Sequence, residues 1–445
     1  MSKKGVGRKL SSDYGMVLVL LGLCGFFSML TLKKQVPTGE AAVAQLAKTI
    51  EDHFARSDII LAVGAAKKDS APFAENLARK LKSAGFVHAR VVVGIPRDLR
   101  VTLERMKAQG DVPAAIGTSG DVARWGVVEL IPQQFPEFAA CQVLTPESRY
   151  WPDFLKSSNL LAIVDRIVVI AVLAIGMTMV ISTAGIDLSV GSLIALSAVI
   201  GTLVMKQLGG TEAPAWVVAV GFLAGILSCG VVGAAGGYLV ARFKVAPFIT
   251  TLGVMMMARG LAFLITGGFS IYQVPAALPW LGQGRTVGIP NTVLLLIVLY
   301  TIAHVFMSHT PMGRYIYAVG GNEEAARLSG VPGGSGIVFV YVMGALAAGL
   351  GGCLQASPVN TGTPNMGMMY ELYVIAAVVV GGTSLAGGSG RILGTLIGAF
   401  SISVIQNGMN LMGIESYMQQ VVLGAVILGA VLLDKVRSGG DLSIT

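Results

Sequence analysis

Long apolar runs separated by short polar connections dominate this 445-residue sequence. Runs of roughly 17–25 apolar residues are long enough to cross a bilayer as helices. The chain is 54% hydrophobic and 13% charged, with a mean hydropathy of +0.73, which leaves too little polar surface for a soluble globule. We therefore predict a mostly α-helical membrane protein with about ten transmembrane helices, near residues 15–32, 167–183, 188–206, 215–240, 246–267, 291–308, 336–356, 371–386, 392–411 and 416–433. The run at 371–386 is short and rich in glycine at its end, so we expect it to be broken or tilted.

A charged segment, residues 311–330 (PMGRYIYAVGGNEEAARLSG), lies between two of these apolar runs. Asn322 can cap a helix, and the two glutamates after it fall in the first turn, where the helix dipole favours anions. Arg327 falls in the last turn, and Gly330, with a proline two residues later, ends the helix. The pattern predicts a water-exposed helix of about two turns, which is typical of a docking element.

The motif GGNEEAARLSG in this segment resembles the loop with which permease subunits of ATP-binding-cassette (ABC) importers of the ribose, xylose and galactoside type press on their ATPase subunit. Blocks at 176–197 (GMTMVISTAGIDLSVGSLIALS) and 378–399 (VVVGGTSLAGGSGRILGTLIGA) are similar to other signatures of that family, in the same order. The resemblance covers residues 1–32 and 155–437. It implies an ABC-importer permease fold in which the ATPase-coupling residues are Gly321, Asn322, Glu323, Glu324, Ala325, Ala326, Arg327, Leu328, Ser329 and Gly330.

Basic residues in the short loops gather on one side of the predicted spans. With the amino terminus inside the cell, the cytoplasmic ones are Lys3, Lys4, Arg8, Lys9, Arg242, Lys244, Arg314, Arg327, Arg391, Lys435 and Arg437. Only Arg166, Lys206 and Arg285 fall in short outer loops. Because basic loops stay in the cytoplasm, we predict an even number of spans and both termini inside. A cleaved signal peptide is the alternative for the first span, although no small-residue cleavage site follows it.

Residues 33–156 interrupt the membrane pattern with polar sequence and apolar runs of only strand length. Strands are predicted at 59–63, 91–94, 114–117 and 139–144, alternating with helices at 40–54, 72–83, 99–108 and 121–131. Such alternation favours a parallel sheet. The predicted organisation is thus a tail and first span at 1–32, a small extracytoplasmic α/β insertion at 33–156, a permease core at 157–437 and a cytoplasmic tail at 438–445.

The passage 111–131 (DVPAAIGTSGDVARWGVVELI) is similar to a strand–turn–helix found late in one lobe of periplasmic sugar-binding proteins. A complete binding protein has two lobes, whereas the insertion is long enough for one. Two interpretations stay open: a degenerate binding lobe fused to the permease, or a generic α/β insertion that packs or spaces.

Several kinds of chemistry are excluded or unsupported by the sequence. No Gly-Lys pair occurs, so the chain lacks a phosphate-binding loop and ATP hydrolysis must come from a partner. The four cysteines and four histidines are scattered without ligand spacing, so we predict neither a disulfide nor a metal site. We expect no cofactor and no catalytic residue in this chain.

Asp187 interrupts apolar sequence in the run GIDLSVG, flanked by glycines. A carboxylate within a span is a functional candidate, so Asp187 and the nearby Ser189 are possible residues of the translocation path. The alternative is that Asp187 caps the next helix, assisted by Ser189.

Four other polar residues interrupt predicted spans. Arg259 must pair or face water, since a lipid-facing guanidinium is costly, and we favour pairing over solute contact. Gln406, Asn407 and Asn410 either bond across helices or line a polar path, with Gln406 and Asn410 on one helical face.

These features predict the permease subunit of an ATP-driven importer for a sugar or similar small polar solute in the inner membrane. The expected partners are ABC ATPase subunits, a second permease copy or homologue, a solute-binding protein and the lipid bilayer, with no nucleic acid. A membrane receptor that senses ligand through the insertion and a secondary transporter are the alternatives. A secondary transporter would need more carboxylates within its spans.

Overall fold

The computed structural model of the chain describes residues 3–35, 39–66 and 70–437, so the predicted tail at 438–445 lies outside the described residues. The chain divides into two compact units. Unit 1 contains Met1–Thr31 and Asp153–Thr445, and unit 2 contains Leu32–Pro152. Unit 1 begins with helix α1 (Lys3–Leu30).

Unit 2 alternates strands and helices. Its elements are β1 (Leu32–Gln35), α2 (Gly39–His53), β2 (Ile59–Ala65), α3 (Ser70–Ser83), β3 (Ala89–Gly94), α4 (Pro96–Gln109), β4 (Pro113–Thr118), α5 (Gly126–Glu129), α6 (Ile131–Gln134), β5 (Gln142–Leu144) and β6 (Arg149–Pro152). Strands β1 and β6 form an antiparallel ribbon that pairs Leu32 with Pro152. This ribbon moves the limits of the insertion from the expected 33 and 156 to Leu32 and Pro152, because its two strands hydrogen-bond to each other.

The main sheet of unit 2 has four parallel strands in the order β3-β2-β4-β5. Helices α2 and α3 cover one face, where Leu46 and Leu77 pack on Ile60. On the other face, Leu99 and Leu103 of α4 belong to the cluster around Leu61. Because strands covered on both faces must be apolar throughout, β2 reads as a continuous hydrophobic run. Unit 2 is thus a three-layer α/β structure.

Two predicted elements of unit 2 differ from the structure. The expected helix at 121–131 is instead a 3₁₀ turn, Val122–Arg124, followed by the single-turn helices α5 and α6. Trp125 is extended at the break, and the proline within the first turn of α6 has no N–H for a longer helix. The expected strand at 139–144 begins only at Gln142, because a 3₁₀ turn occupies Pro136–Phe138 just before it.

Unit 1 continues as a helical bundle. Its remaining elements are α7 (Ser157–Ser182), α8 (Val190–Gln207), α9 (Trp216–Phe243), α10 (Pro247–Thr266), α11 (Trp280–Gln283), β7 (Arg285–Thr286), β8 (Ile289–Pro290), α12 (Asn291–His309), α13 (Pro311–Gly321), α14 (Glu323–Leu328), α15 (Gly333–Val359), α16 (Tyr370–Val380), α17 (Ile392–Leu411) and α18 (Ser416–Arg437).

Among the described residues, seven helices are long and apolar enough to cross a membrane: α7, α8, α9, α10, α12, α15 and α17. Three shorter apolar helices lie at Gly15–Leu30, Tyr370–Val380 and Ser416–Leu432, where three further spans were predicted. The expected run at 371–386 is helical only to Val380, because Gly381 ends the helix and Gly382 adopts a positive φ of 83°. The chain is a multi-pass membrane protein built mainly from α-helices.

Small residues hold the centre of unit 1 together. Helices α9 and α15 approach closely, and a side chain at Gly233 would collide with Ala345 and the backbone of α15. Small residues at helix contacts are the usual basis of association in lipid.

The helices of unit 1 differ in burial. The apolar stretches of α7 and α8 are 67% and 72% buried, whereas those of α9, α10 and α12 are only 28% buried. Helices α7 and α8 are therefore internal, and the other three leave most of their apolar surface outside.

Candidate functional site

Helix α14 is short, exposed and capped at both ends, as the sequence predicted. The Asn322 side chain accepts a 2.9 Å hydrogen bond from the backbone N–H of Ala325, which caps the first turn. At the other end, Gly330 has a φ of 79°, and the N–H groups of Gly330 and Val331 donate to the carbonyls of Arg327 and Ala326. This pair of bonds is the Schellman arrangement that ends many helices.

The surface of α14 is mostly polar. Of the ten predicted coupling residues, only Ala326 is buried, and the others, including Leu328, are exposed. Arg327 donates to Glu324 at 2.5 Å, and this hydrogen bond lowers the pKa of the Glu324 carboxyl. Lys244, at the end of α9, pairs with Glu323. The other nine residues thus form one solvent-exposed surface that carries a leucine, which suits contact with another protein.

The preceding helix, α13, anchors α14 to the membrane helices. Thr310 caps α13 by accepting a 3.2 Å hydrogen bond from the Gly313 N–H. Ile316 and Val319 are buried on its inner face. Because only Asn322 separates the two helices, displacement of α14 would be transmitted directly to α13.

The three sequence blocks that carry the family resemblance meet at this end of unit 1. Tyr317 of α13 donates a 2.9 Å hydrogen bond to the Gly390 carbonyl, and the Gly388 N–H donates a 3.0 Å bond to the carbonyl of Ser182 at the end of α7. Gly320 lies between these segments, where a Cβ would collide with the Ser182 carbonyl oxygen and approach the Gly388 nitrogen to 2.7 Å. The end of α7, the end of α13 and the loop after α16 are therefore joined backbone to backbone.

Asp187 is buried beside this junction and supports the start of α8. Its Oδ1 accepts hydrogen bonds from the Ser189 N–H at 2.8 Å and the Ser189 hydroxyl at 2.6 Å. Ser189 is the residue that precedes the first turn of α8. The N-cap of α8 is therefore Ser189, and Asp187, two residues earlier, forms an Asx turn with it.

Arg259 pairs with backbone. Its guanidinium donates to the carbonyls of Pro364 and Met366, both at 2.7 Å, and to the Gly191 carbonyl at 3.2 Å. These bonds tie α10 to α8 and to the loop before α16. They satisfy an arginine that a bilayer would otherwise disfavour.

The three amides of α17 do not act together. Asn407 is buried and forms a reciprocal pair with Asn159 of α7, with N···O distances of 2.8 and 3.0 Å. Asn410 is exposed and accepts a 2.9 Å hydrogen bond from Gln419, while Gln406 is partly buried. Among the described residues, no hydrogen bond joins Asp187 or Arg259 to these amides, and each has partners of its own.

Sequence reasoning missed several residues of the site. Ser182, Gly320 and Tyr317 gave no signal, because each acts through a partner far along the chain. The pairing of Lys244 with α14 could have been predicted, because Lys244 is a basic residue in a loop on the same side as this acidic helix. Two acidic residues in apolar helices, Asp165 of α7 and Glu371 of α16, were also missed, because Asp165 precedes the predicted span at 167–183 and Glu371 is the first residue of the one at 371–386.

Comparison with known proteins gives a consistent picture. The family model described as the permease component of branched-chain amino acid transport systems matches residues 159–431. The ribose import permease protein RbsC of Escherichia coli (strain K12) is 43% identical over 288 residues, which cover 64% of this chain and 87% of the relative. RbsC of Bacillus subtilis (strain 168) is 40% identical over 290 residues, covering 64% and 88%.

The D-allose transport system permease protein AlsC of Escherichia coli (strain K12) is 34% identical over 285 residues, which cover 64% of this chain and 86% of the relative. No solved structure matches the chain. The family model matches more than half of the sequence, and all of its matched residues belong to unit 1. The chain therefore belongs to the family of ABC importer permease components that includes these ribose and allose permeases, and it is the membrane subunit of an ATP-driven importer rather than an enzyme.

Proposed function

We propose that this permease imports a neutral monosaccharide, a pentose or a related aldose, and that helix α14 receives the force of ATP-driven closure from a partner ATPase. The relatives support the substrate class, since they are permeases for ribose and allose. The observation that carries the coupling role is the exposed, doubly capped α14, which is attached through α13 to the ends of α7 and α16.

We also propose ten membrane spans, with both termini in the cytoplasm and residues 33–156 outside it. The basic residues gathered on one face support this orientation. A second support comes from contacts. Counting ten spans from the inside assigns the end of α7, helix α13 and the loop after α16 to one side of the membrane, and these three segments touch.

The proposed complex contains two ATPase subunits, a second permease copy or homologue and a solute-binding protein, in a lipid bilayer and without nucleic acid. No cofactor is required in this chain. ATP closure would displace α14 and α13, and the backbone contacts at Gly320 and Gly388 would pass that displacement to the membrane helices. The permease would thereby alternate between outward-facing and inward-facing states.

For unit 2 we propose a single extracytoplasmic lobe that no longer supplies a complete sugar-binding cleft. A two-lobed receptor closes around its ligand, whereas unit 2 has one parallel sheet of four strands. The receptor alternative predicts instead that isolated residues 32–152 bind sugar at micromolar concentration, which isothermal titration calorimetry would detect.

Uptake by the reconstituted importer tests the coupling role. The chain would be placed in proteoliposomes with its ATPase and binding protein, and ATP-dependent uptake of radiolabelled D-ribose and D-allose would be measured. The double variant Glu323→Lys, Glu324→Lys reverses the charge of α14 and breaks two exposed ion pairs, which contribute little to folding. We expect at least a tenfold loss of uptake with ATP hydrolysis retained.

The matched control is Glu51→Lys with Glu75→Lys, which reverses two exposed glutamates of unit 2. Equal uptake by the α14 variant and this control would refute the coupling role. Uptake of neither sugar by the unaltered importer would refute the proposed substrate class, and uptake that continues without ATP would indicate a secondary transporter.

A further inference from the structure

A cavity of about 280 Å³ lies in unit 1 at the end remote from α14. The first half of α7, the start of α12 and the end of α15 line it, together with α11 and the adjoining β7–β8 hairpin. Helices α7 and α12 run from this cavity towards the α13–α14 end, so cavity and coupling helix are about a helix length apart. Its volume is near the lower limit for small-molecule pockets, which suits a single sugar ring.

The cavity contains a hydroxyl that lacks a partner. Thr292 lines it and is 95% buried, and its Oγ1 has no hydrogen-bond partner among the described residues, although nearly all buried polar atoms in proteins have one. The neighbouring Asn291, by contrast, bonds to the Trp280 carbonyl and to Thr286. A bound hydroxyl would supply the partner that Thr292 lacks.

Two opposite charges also line the cavity. Asp165 of α7 and Arg285 of β7 are close enough for their charges to interact, although no ion pair joins them. Gln283 is held in place by a 2.6 Å hydrogen bond from its Nε2 to the Pro358 carbonyl. A carboxylate that accepts and a guanidinium that donates can together bind neighbouring hydroxyls of a neutral ring.

Apolar side chains complete the wall. Val168 and Val169 of α7 and Leu354 of α15 line the same cavity. They offer a surface for the C–H face of a sugar. An anion such as a sugar phosphate would meet Asp165 unfavourably, and a cation would meet Arg285 unfavourably.

We propose that this cavity is a binding site for the transported solute within the membrane unit, occupied before the inward-facing state forms, and that its ligand is a neutral monosaccharide held by Thr292, Asp165 and Arg285. This inference rests on the proposed function, which supplies the solute class and the orientation. It adds three named binding residues, none of which belongs to the coupling end.

Saturation-transfer NMR tests this site without the binding protein or the ATPase. The full chain would be placed in lipid nanodiscs and titrated with D-ribose, and empty nanodiscs would give the background. Thr292→Val removes the hydroxyl at nearly constant shape, and Asp165→Asn removes the charge. We expect the half-saturating ribose concentration to rise about three- to tenfold for Thr292→Val and about tenfold or more for Asp165→Asn.

The matched control is Thr301→Val in the same helix, since Thr301 bonds to its own helix and does not line the cavity. We expect it to bind ribose like the unaltered chain. Equal binding by all three variants, or no signal above empty nanodiscs, would overturn the site. Displacement of ribose by L-leucine would overturn the ligand class, because a zwitterion also complements an acid and a base.

Failure of the cavity site and failure of the proposed function give different results. If the reconstituted importer takes up ribose while the NMR variants bind it normally, only the cavity assignment fails. If nanodisc binding is lost in the variants but the importer does not transport, the proposed function fails and the site stands as a receptor pocket.

Discussion

The two units of this protein place their apolar side chains in opposite ways. In unit 2, leucines such as Leu77 and Leu103 are completely buried on opposite faces of a sheet. In unit 1, Leu223 and Leu227 of α9 are more than half exposed, and the interior contact of the same helix is made by glycine. The difference follows from the solvent that each unit is built for.

Unit 2 has the features of a fold held by removal of apolar surface from water. Exposed leucines in unit 1 suit a bilayer, where lipid is as apolar as a leucine side chain and helices associate through close packing and hydrogen bonds. Leucine side chains therefore stabilise unit 2 by their burial, whereas the exposed leucines of unit 1 contribute little to its packing. Four predictions test this comparison.

The largest effect is expected from Leu103→Ala in α4. Truncating a fully buried leucine leaves a cavity and should destabilise unit 2 by about 2–5 kcal/mol. Pulse proteolysis of the full chain in increasing urea would report the stability of unit 2. The matched change Leu223→Ala in α9 should alter the thermal stability of unit 1 in detergent by less than about 0.5 kcal/mol. Similar effects of the two changes would contradict the comparison.

A second prediction uses the thiol of Cys141 to probe the interior of unit 2. Burial raises the pKa of Cys141 to about 11. Cys141 would be compared with a cysteine placed at exposed Glu75, each in a variant whose other cysteines are alanine. Maleimide should label Cys141 about a hundredfold more slowly at pH 7.5, since only the thiolate reacts. Labelling of Cys141 should still rise about tenfold between pH 9 and pH 10, where the exposed thiol levels off. Parallel pH profiles would show that this part of unit 2 is open to water.

The third prediction concerns the glycine contacts of unit 1. Gly320→Ala introduces a methyl group against the Ser182 carbonyl, so the backbone must move, and we expect a loss of about 1–3 kcal/mol. Gly253→Ala in α10 has open space around the new methyl group and should be neutral or slightly stabilising. Size-exclusion thermostability in detergent would rank the two variants. Equal tolerance would mean that close backbone approach does not hold this end together.

The smallest effect is expected for the amide pair between α7 and α17. In a double-mutant cycle with Asn159→Leu and Asn407→Leu, the coupling energy should be about 0.6 kcal/mol, the usual size for hydrogen bonds between membrane helices. Unfolding in mixed micelles of dodecyl maltoside and dodecyl sulfate would provide the four free energies. A coupling near zero would assign α7–α17 association to packing alone.

Local features were predictable from the sequence. The caps of α14 follow from Asn322, the two glutamates and Gly330, all of which act within the same helix. Apolar runs gave the positions of the long helices for the same reason, since hydropathy is a property of consecutive residues. The errors also have local causes: the helix expected at 121–131 has the right apolar spacing, but extended Trp125 divides it.

Contacts between distant segments were not predictable. The shared helical face of Gln406 and Asn410 suggested a polar path, yet the buried amide of α17 is Asn407, because α7 supplies Asn159 as its partner 248 residues away. In the same way, nothing near Gly320 in the sequence indicates that Ser182 and Gly388 approach it.

The sequence by itself determined that this chain is a mostly helical membrane protein with a capped, charged helix between two long apolar helices and an inserted α/β unit, because hydropathy, caps and periodicity depend on neighbouring residues. The permease family followed from the resemblance of three motifs to known sequences. Only the tertiary structure decided which polar groups come together: Asn159 bonds to Asn407 and Arg259 to the carbonyls before α16, and Asp165 and Arg285 line the same cavity. The physical reason is that partners far apart in the chain are chosen by the packing of whole helices, which single residues do not encode.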